Sequence, residues 1–306
     1  MTKHMMAYAA ALDDALEEWN LAMRQANKSP ATRKVYSTAV AQFADWLAAH
    51  GRPDATTDTI TPADVRGYLL DVLDRTSAST AITRHGGLQA FFKWARQEGL
   101  AADDPTASVP KPQRDQAVVP VLREDDLRRV LAVCGRDFNG LRDEAIIRML
   151  LGTGMRRGEC AAITLDELDV KAQTVHIVRG KGGKGRIVYL PDHAMLALRR
   201  YLRARSMHRM AHLPNLWVGK GGGLSGSGIQ QLLAGRAQQA GVSARFNPHS
   251  FRHTFAHTWL AAGGTEGSLM ASAGWSNRAM IDRYGRSVAS ERAHAEAARL
   301  KIGEGL

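Results

Sequence analysis

"DDPTASVPKPQRDQAVVPVL", residues 103–122, holds four of the ten prolines of this 306-residue chain: Pro105, Pro110, Pro112 and Pro120. Proline fixes φ and has no N–H to give, so the stretch reads as an extended linker. The chain on either side of it differs in kind. Upstream, every segment with a hydrophobic period has the helical one. "DDALEEWNLAMRQA" starts acidic and sets Leu16, Trp19 and Met23 on one stripe. "SPATRKVYSTAVAQFADWLAAHG" opens with Ser29 as N-cap and Pro30 at the first helical position, and closes on Gly51. "TPADVRGYLLDVLD" repeats that opening with Thr61 and Pro62, and "SASTAITRHGGLQAFFKWARQEG" makes a fourth helix ending on Gly99. Four amphipathic helices without a strand signal predict a small helical domain.

Downstream the pattern is mixed. "REDDLRRVLAVC", "LRDEAIIRMLLGTG", "HAMLALRRYLRAR", "GIQQLLAGRAQQAG", "SFRHTFAHTWLAAGG" and the segment from Glu266 read as helices. "TVHIVRGKGGKGRIVYLP" (174–191) instead sets two β-rich runs, Thr174 to Val178 and Arg186 to Leu190, around a Gly-Lys turn, which is a hairpin signal. The fold class expected is mostly α with a small β-sheet or hairpin (α+β). The helical domain spans 1–108, the linker 109–120, and the second domain with its tail 121–306.

Charge divides at the same place. Residues 1–110 carry 11 Lys+Arg against 13 Asp+Glu, while residues 111–306 carry 30 against 17, a net of +13. Such an excess attracts a polyanion, of which nucleic acid is the commonest, although a solvated basic surface would look the same. No apolar run reaches the length of a membrane span, and the N-terminus turns acidic before any secretory core develops. The two cysteines, Cys134 and Cys160, sit in helical patterns and read as buried thiols of a reducing compartment. A cytoplasmic location, bacterial or in a phage-infected host, is expected.

Four stretches of the second half carry chemistry. In "GTGMRRGEC" (152–160) glycines end one helix and Arg156 and Arg157 begin the next. Guanidinium groups beside free helix N–H groups suit a phosphate, though an ion pair of Arg156 with Glu159 would read the same way. "GKGGKGR" (180–186) places Lys181 and Lys184 on a glycine-rich tip that lacks the spacing of a nucleotide-binding P-loop. In "NPHSFRHTFAHTW" (247–259) Asn247 caps, Pro248 starts a helix, and His249 and Arg252 share a face. His249, His253 and His257 also share a face, but no acidic or cysteine partner accompanies them, so zinc is not expected and His253 and His257 read as packed or surface histidines. "GWSNRAMIDRYGR" (274–286) sets Tyr284 between two arginines, nine positions after Trp275.

Taken in order, an arginine, a hairpin lysine, His-x-x-Arg, tryptophan and tyrosine resemble the tyrosine recombinase (phage integrase) family over nearly the whole chain. The resemblance implies a core-binding helical domain, a linker and a catalytic domain, closing as a C-shaped clamp on double-stranded DNA. It implies catalytic roles for Arg156, Lys181, His249, Arg252, Trp275 and Tyr284. The two arginines would clamp the non-bridging oxygens, Lys181 would protonate the leaving 5′-oxygen, and Tyr284 would form a 3′-phosphotyrosyl bond. Trp275 departs from the histidine that most members carry; an indole donates a hydrogen bond but shuttles no proton. DNA contacts are expected from Arg33, Lys34, Arg84, Lys93, Lys184 and Arg186. No metal and no cofactor is expected, since the phosphotyrosine stores the bond energy. The resemblance also implies a homotetramer on the DNA synapse, accessory DNA-bending or directionality proteins, and a C-terminal tail that docks on a neighbouring protomer. With about 15 residues ahead of the first helix, no separate arm-binding domain is expected. A compact phage or prophage integrase is the reading placed first; the alternatives are an Xer-type chromosome or plasmid dimer resolvase and a type IB topoisomerase-like enzyme.

Overall fold

The computed structural model describes residues 11–113, 121–178, 185–242, 246–275, 277 and 281. The chain divides into two compact units, Met1–Gln116 and Ala117–Leu306, with the boundary inside the proline-rich stretch.

The first unit is built from α1 (Leu12–Gln25), α2 (Pro30–Ala49), α3 (Pro62–Arg75) and α4 (Ala78–Gln97). Local chemistry sets their starts. Ser29 Oγ accepts from the Thr32 amide, with Pro30 at the first position of α2. Thr61 and Asp64 form a reciprocal capping box on α3, and Ser77 caps α4. Asp13 and Asp14 at the start of α1 and Arg24 at its end match the helix dipole. The core is aromatic: Trp19, Phe43, Tyr68, Phe91 and Phe92 are buried together with Leu47 and Leu88. Residue 109, expected to open the linker, belongs to this unit instead. Val109 is buried in the helical core and its carbonyl meets Nε2 of the buried His85 at 3.1 Å.

The second unit contains α5 (Glu124–Ala132), α6 (Phe138–Thr153), α7 (Arg157–Ala162), α8 (Asp192–Ser206), α9 (Gly226–Gln239), α10 (Pro248–Ala261) and α11 (Glu266–Ala273). A three-stranded antiparallel sheet runs in the order β1 (Leu168–Asp169), β2 (Thr174–Ile177), β3 (Arg186–Tyr189), with Val175 opposite Val188. Strands β2 and β3 alternate: Val175, Ile177 and Val188 face the core, while His176, Ile187 and Tyr189 are exposed. The hairpin of β2 and β3 lies where the sequence predicts it, with each strand one residue shorter at its C-terminal end. A second, two-residue pair, β4 (Val218–Gly219) and β5 (Gly222–Gly223), was not expected. Helices α6 and α8 form the centre of this unit, with Ile146, Ile147, Met149, Leu150, Leu198, Tyr201 and Trp217 fully buried. Asp143 accepts from both Arg142 and Arg236 inside it, so its buried charge is compensated.

Candidate active site

Two left-handed glycines shape the site. Gly154 ends α6 at φ +57, where a Cβ would collide with the Phe255 ring, and Gly274 ends α11 at φ +64. Both are αL helix caps, a conformation only glycine adopts without strain. After Gly154 the chain turns, and Arg156 takes the N-cap position of α7. Asn247 caps α10 by accepting from the amides of His249 and Ser250, which sets His249 and Arg252 in the first turns of that helix.

Three arginines from distant parts of the chain converge on the end of α11. Arg186 Nε donates to the Ser272 carbonyl at 2.8 Å, Arg252 Nη2 to Ala273 at 2.6 Å, and Arg156 Nη2 to Gly274 at 3.0 Å. The last carbonyls of a helix have no partner within it and carry the negative end of its dipole. Three successive ones are therefore natural anchors for guanidinium groups. Arg252 also donates to the Gly154 carbonyl at 2.7 Å and is 5% exposed, with its guanidinium carbon 5.1 Å from the centre of the Trp275 ring. Trp275 is itself buried, packed with Phe255, Leu260, Leu269 and Ala273.

Glu159 completes the cluster. Its two oxygens receive Arg156 Nη1 at 2.8 Å, the Arg156 amide at 2.8 Å, and both Nη atoms of Arg186 at 3.1 and 2.8 Å. Burial alone would push this carboxyl up. The hydrogen bonds from Arg186 and Arg156 outweigh it and hold the pKa at about 2. Glu159 is thus an anion at any ordinary pH. The ion pair of Glu159 with Arg156 exists, yet it does not exclude a phosphate. The Arg156 side chain stays 33% exposed, and the two bonds to Glu159 and Gly274 use two of its five N–H donors. Three arginines against one carboxylate leave the described cluster with a net positive charge.

His249 and His253 meet through their Nε2 atoms at 2.8 Å, with rings at right angles. One ring must donate and the other accept. Among the described residues, no group of three His, Cys, Asp or Glu side chains could hold a metal ion. Burial raises the thiols of Cys134 and Cys160 to about 11 and about 12, so neither is a thiolate nucleophile.

The structure thus gathers Arg156, His249, Arg252 and Trp275, which the sequence singled out, in one unit. Lys181, Lys184 and Tyr284, and the tail after Ser290, lie outside the described residues. Arg33, Lys34 and Lys93 are on α2 and α4, with Lys34 and Lys93 exposed; Arg84, also on α4, is half-buried in a groove lined by Trp46, Tyr68 and Asp71. Arg186 corrects the expectation of a DNA contact: its side chain is 11% exposed and all three of its nitrogens are bonded inside the protein. The part played by Glu159 was readable only as its spacing of three from Arg156. The carbonyls of Gly154, Ser272, Ala273 and Gly274 had no signal at all, because any residue carries one.

The phage integrase family model matches residues 120–291, over half of the chain, and the model of the phage integrase N-terminal SAM-like domain matches residues 15–101. The chain belongs to the tyrosine recombinase (phage integrase) family. It is a site-specific recombinase of the tyrosine type. Relatives include the tyrosine recombinase XerC of Anoxybacillus flavithermus, 32% identical over 66% of this chain and 69% of its own. The tyrosine recombinase XerD of Ralstonia nicotianae is 32% identical over 74% and 73%. Among solved structures the fold is shared with the Tn1549 transposon integrase in complex with transposon right end DNA. That match has a TM-score of 0.77 and 18% identity, over 96% of this chain and 100% of the other. XerH site-specific recombinase bound to a palindromic difH substrate has a TM-score of 0.72 and 16% identity, over 92% and 83%.

Proposed function

We propose that this recombinase cuts and rejoins double-stranded DNA through a covalent bond between Tyr284 and a 3′-phosphate. The observation that carries the reading is the pair Arg156 and Arg252, anchored on the neighbouring carbonyls of Gly274 and Ala273. A phosphodiester gains charge on its non-bridging oxygens as it is attacked, and two fixed guanidinium groups are suited to receive it. The Tyr284 phenol attacks phosphorus, the bond to the 5′-oxygen breaks, and that oxygen leaves as a hydroxyl with a proton from Lys181. His249, hydrogen-bonded to His253, assists loss of the phenolic proton. Trp275 supplies a packed wall against Arg252. The same steps in reverse, with a different 5′-hydroxyl, exchange strands, and four protomers assembled on two duplexes carry out the full reaction. Arg33, Lys34, Arg84 and Lys93 of the helical unit, and Lys184, contact the duplex.

The sequence reading placed a compact phage integrase first. The names of the curated relatives support the Xer-type reading in its place, a resolvase of chromosome or plasmid dimers. A resolvase of that kind would meet its DNA in the bacterial cytoplasm, where we infer that this protein acts. No helix among the described residues is long and apolar enough to cross a membrane.

The test is covalent trapping. The protein is incubated with a library of random duplexes, denatured, and the DNA that remains attached is sequenced while the modified peptide is identified by mass spectrometry. The expected result is a shared core sequence and a nucleotide on Tyr284. No adduct, or an adduct on another residue, overturns the reading.

A further inference from the structure

All three nitrogens of Arg186 donate inside the protein. Nε serves Ser272, and the two Nη atoms serve the two oxygens of Glu159. Such a fork, with two parallel bonds to one carboxylate, fixes direction as well as distance. Both acceptors that orient Arg156 are in turn located by Arg186. The first, Glu159 Oε1, is shared between them. The second is the Gly274 carbonyl. Arg186 grips the carbonyl two residues earlier and lies so close to Gly274 that a Cβ there would come to 2.8 Å from Nη1. Charge matters as well. Paired with Glu159 alone, Arg156 would be half of a neutral pair. With Arg186 taking up the carboxylate charge, Arg156 keeps its own for a phosphate.

We propose that Arg186 is a positioning residue for strand cleavage. Through Glu159 and the end of α11 it fixes the direction and preserves the charge of Arg156. The proposal rests on the reading that Arg156 clamps the scissile phosphate. It assigns the first residue of β3 to the catalytic machinery and removes it from the DNA-contacting surface.

Single-turnover cleavage of the duplex selected by covalent trapping tests this, together with equilibrium binding of the same duplex at several salt concentrations. Arg186→Ala is expected to slow cleavage roughly 10- to 100-fold, of the order seen when a group that orients a functional side chain is lost, and to leave affinity and its salt dependence unchanged. In a Glu159→Gln background the same substitution should cost less, because the carboxylate, one of the two groups it acts through, is already gone. Three results overturn the proposal. A weaker affinity with a salt slope shallower by about one marks a direct phosphate contact. A loss of equal size in the Glu159→Gln background means the two residues act separately. Full rescue of Arg186→Ala by a 5′-bridging phosphorothiolate, whose sulfur leaves without a proton, means that Arg186 serves the hairpin lysine and not Arg156. If Arg186→Ala fails to fold, Arg186→Lys keeps the charge but cannot reach Ser272 and both oxygens together. It should retain affinity and lose cleavage, and a wild-type rate in that variant rejects the fork. An inactive wild-type protein contradicts the proposed function; an active one indifferent to Arg186 contradicts this inference alone.

Discussion

Glu159 is a carboxylate buried to 4% exposure between two guanidinium groups. Its pKa is about 2 in the folded protein against 4.5 for the free group. A depressed folded pKa stabilises the native state fully above 4.5, and that contribution is lost as pH falls toward 2. The size is on the order of 3 kcal/mol from the linkage relation. Urea titrations at pH 6 and pH 3 should therefore show a larger drop for the wild type than for Glu159→Gln, which has no proton to take up. Equal drops would show that the carboxyl is not held as the geometry indicates. Lys181 and Tyr284 belong to the same scale, although both lie outside the described residues. Lys181→Ala should cleave normal DNA very slowly and a 5′-bridging phosphorothiolate at nearly the wild-type rate, since a thiol leaves without an acid. Arg156→Ala should not be rescued, because sulfur leaves its non-bridging oxygens in place. Rescue of Lys184→Ala instead would move the acid to the other lysine, and rescue of neither would point to His249.

At the scale of elements, the decisive object is the C-terminus of α11. Eight residues long and capped at its start by Thr265, it presents Ser272, Ala273 and Gly274 to three arginines from α7, β3 and α10. Gly274→Ala would force a Cβ into the left-handed region and against the held guanidinium of Arg186. We expect a loss of about 1 kcal/mol or more in urea unfolding and a cleavage rate that falls with it. Wild-type stability and rate would show that the turn tolerates a side chain. The helices themselves were legible because their ends are written in side chains: Ser29 before Pro30, Thr61 before Pro62, Asn247 before Pro248. The hairpin was legible from its β-branched runs. The pairs β1 with β2 and β4 with β5 were not, since a two-residue strand has no alternation to read. Within the site, Arg156, His249, Arg252 and Trp275 stood out through their resemblance to a known pattern. Arg186 was misread because a charged residue beside a Lys-Gly tip looks solvent-facing, while its real partners, a glutamate 27 residues away and a carbonyl 86 away, are joined to it only by the fold.

At the scale of the whole molecule the charge is lopsided, with +13 on residues 111–306 and −2 on residues 1–110. Phosphate contacts should therefore dominate affinity for duplex DNA. The logarithm of the binding constant should fall steeply and linearly with the logarithm of salt concentration. A flat response would deny the basic half its polyanion. In the tail "SERAHAEAARLKIGEGL" (290–306), which lies outside the described residues, Ala293, Ala297 and Leu300 recur in the sequence at the spacing of a helical stripe. Removing the residues after Ser290 should spare the fold of one protomer and weaken assembly on DNA; unchanged recombination would exclude a docking role for the tail. The central claim is that a tyrosine supported by the arginine cluster breaks a DNA strand. It is met most directly by comparing the wild type with Tyr284→Phe on the trapped duplex, nicked so that cleavage cannot reverse. The wild type should leave protein on the 3′-end and a free 5′-hydroxyl that a kinase can label. Tyr284→Phe should bind the duplex as tightly and give neither product. Covalent adducts persisting in Tyr284→Phe, or protein attached to the 5′-end, would contradict the account.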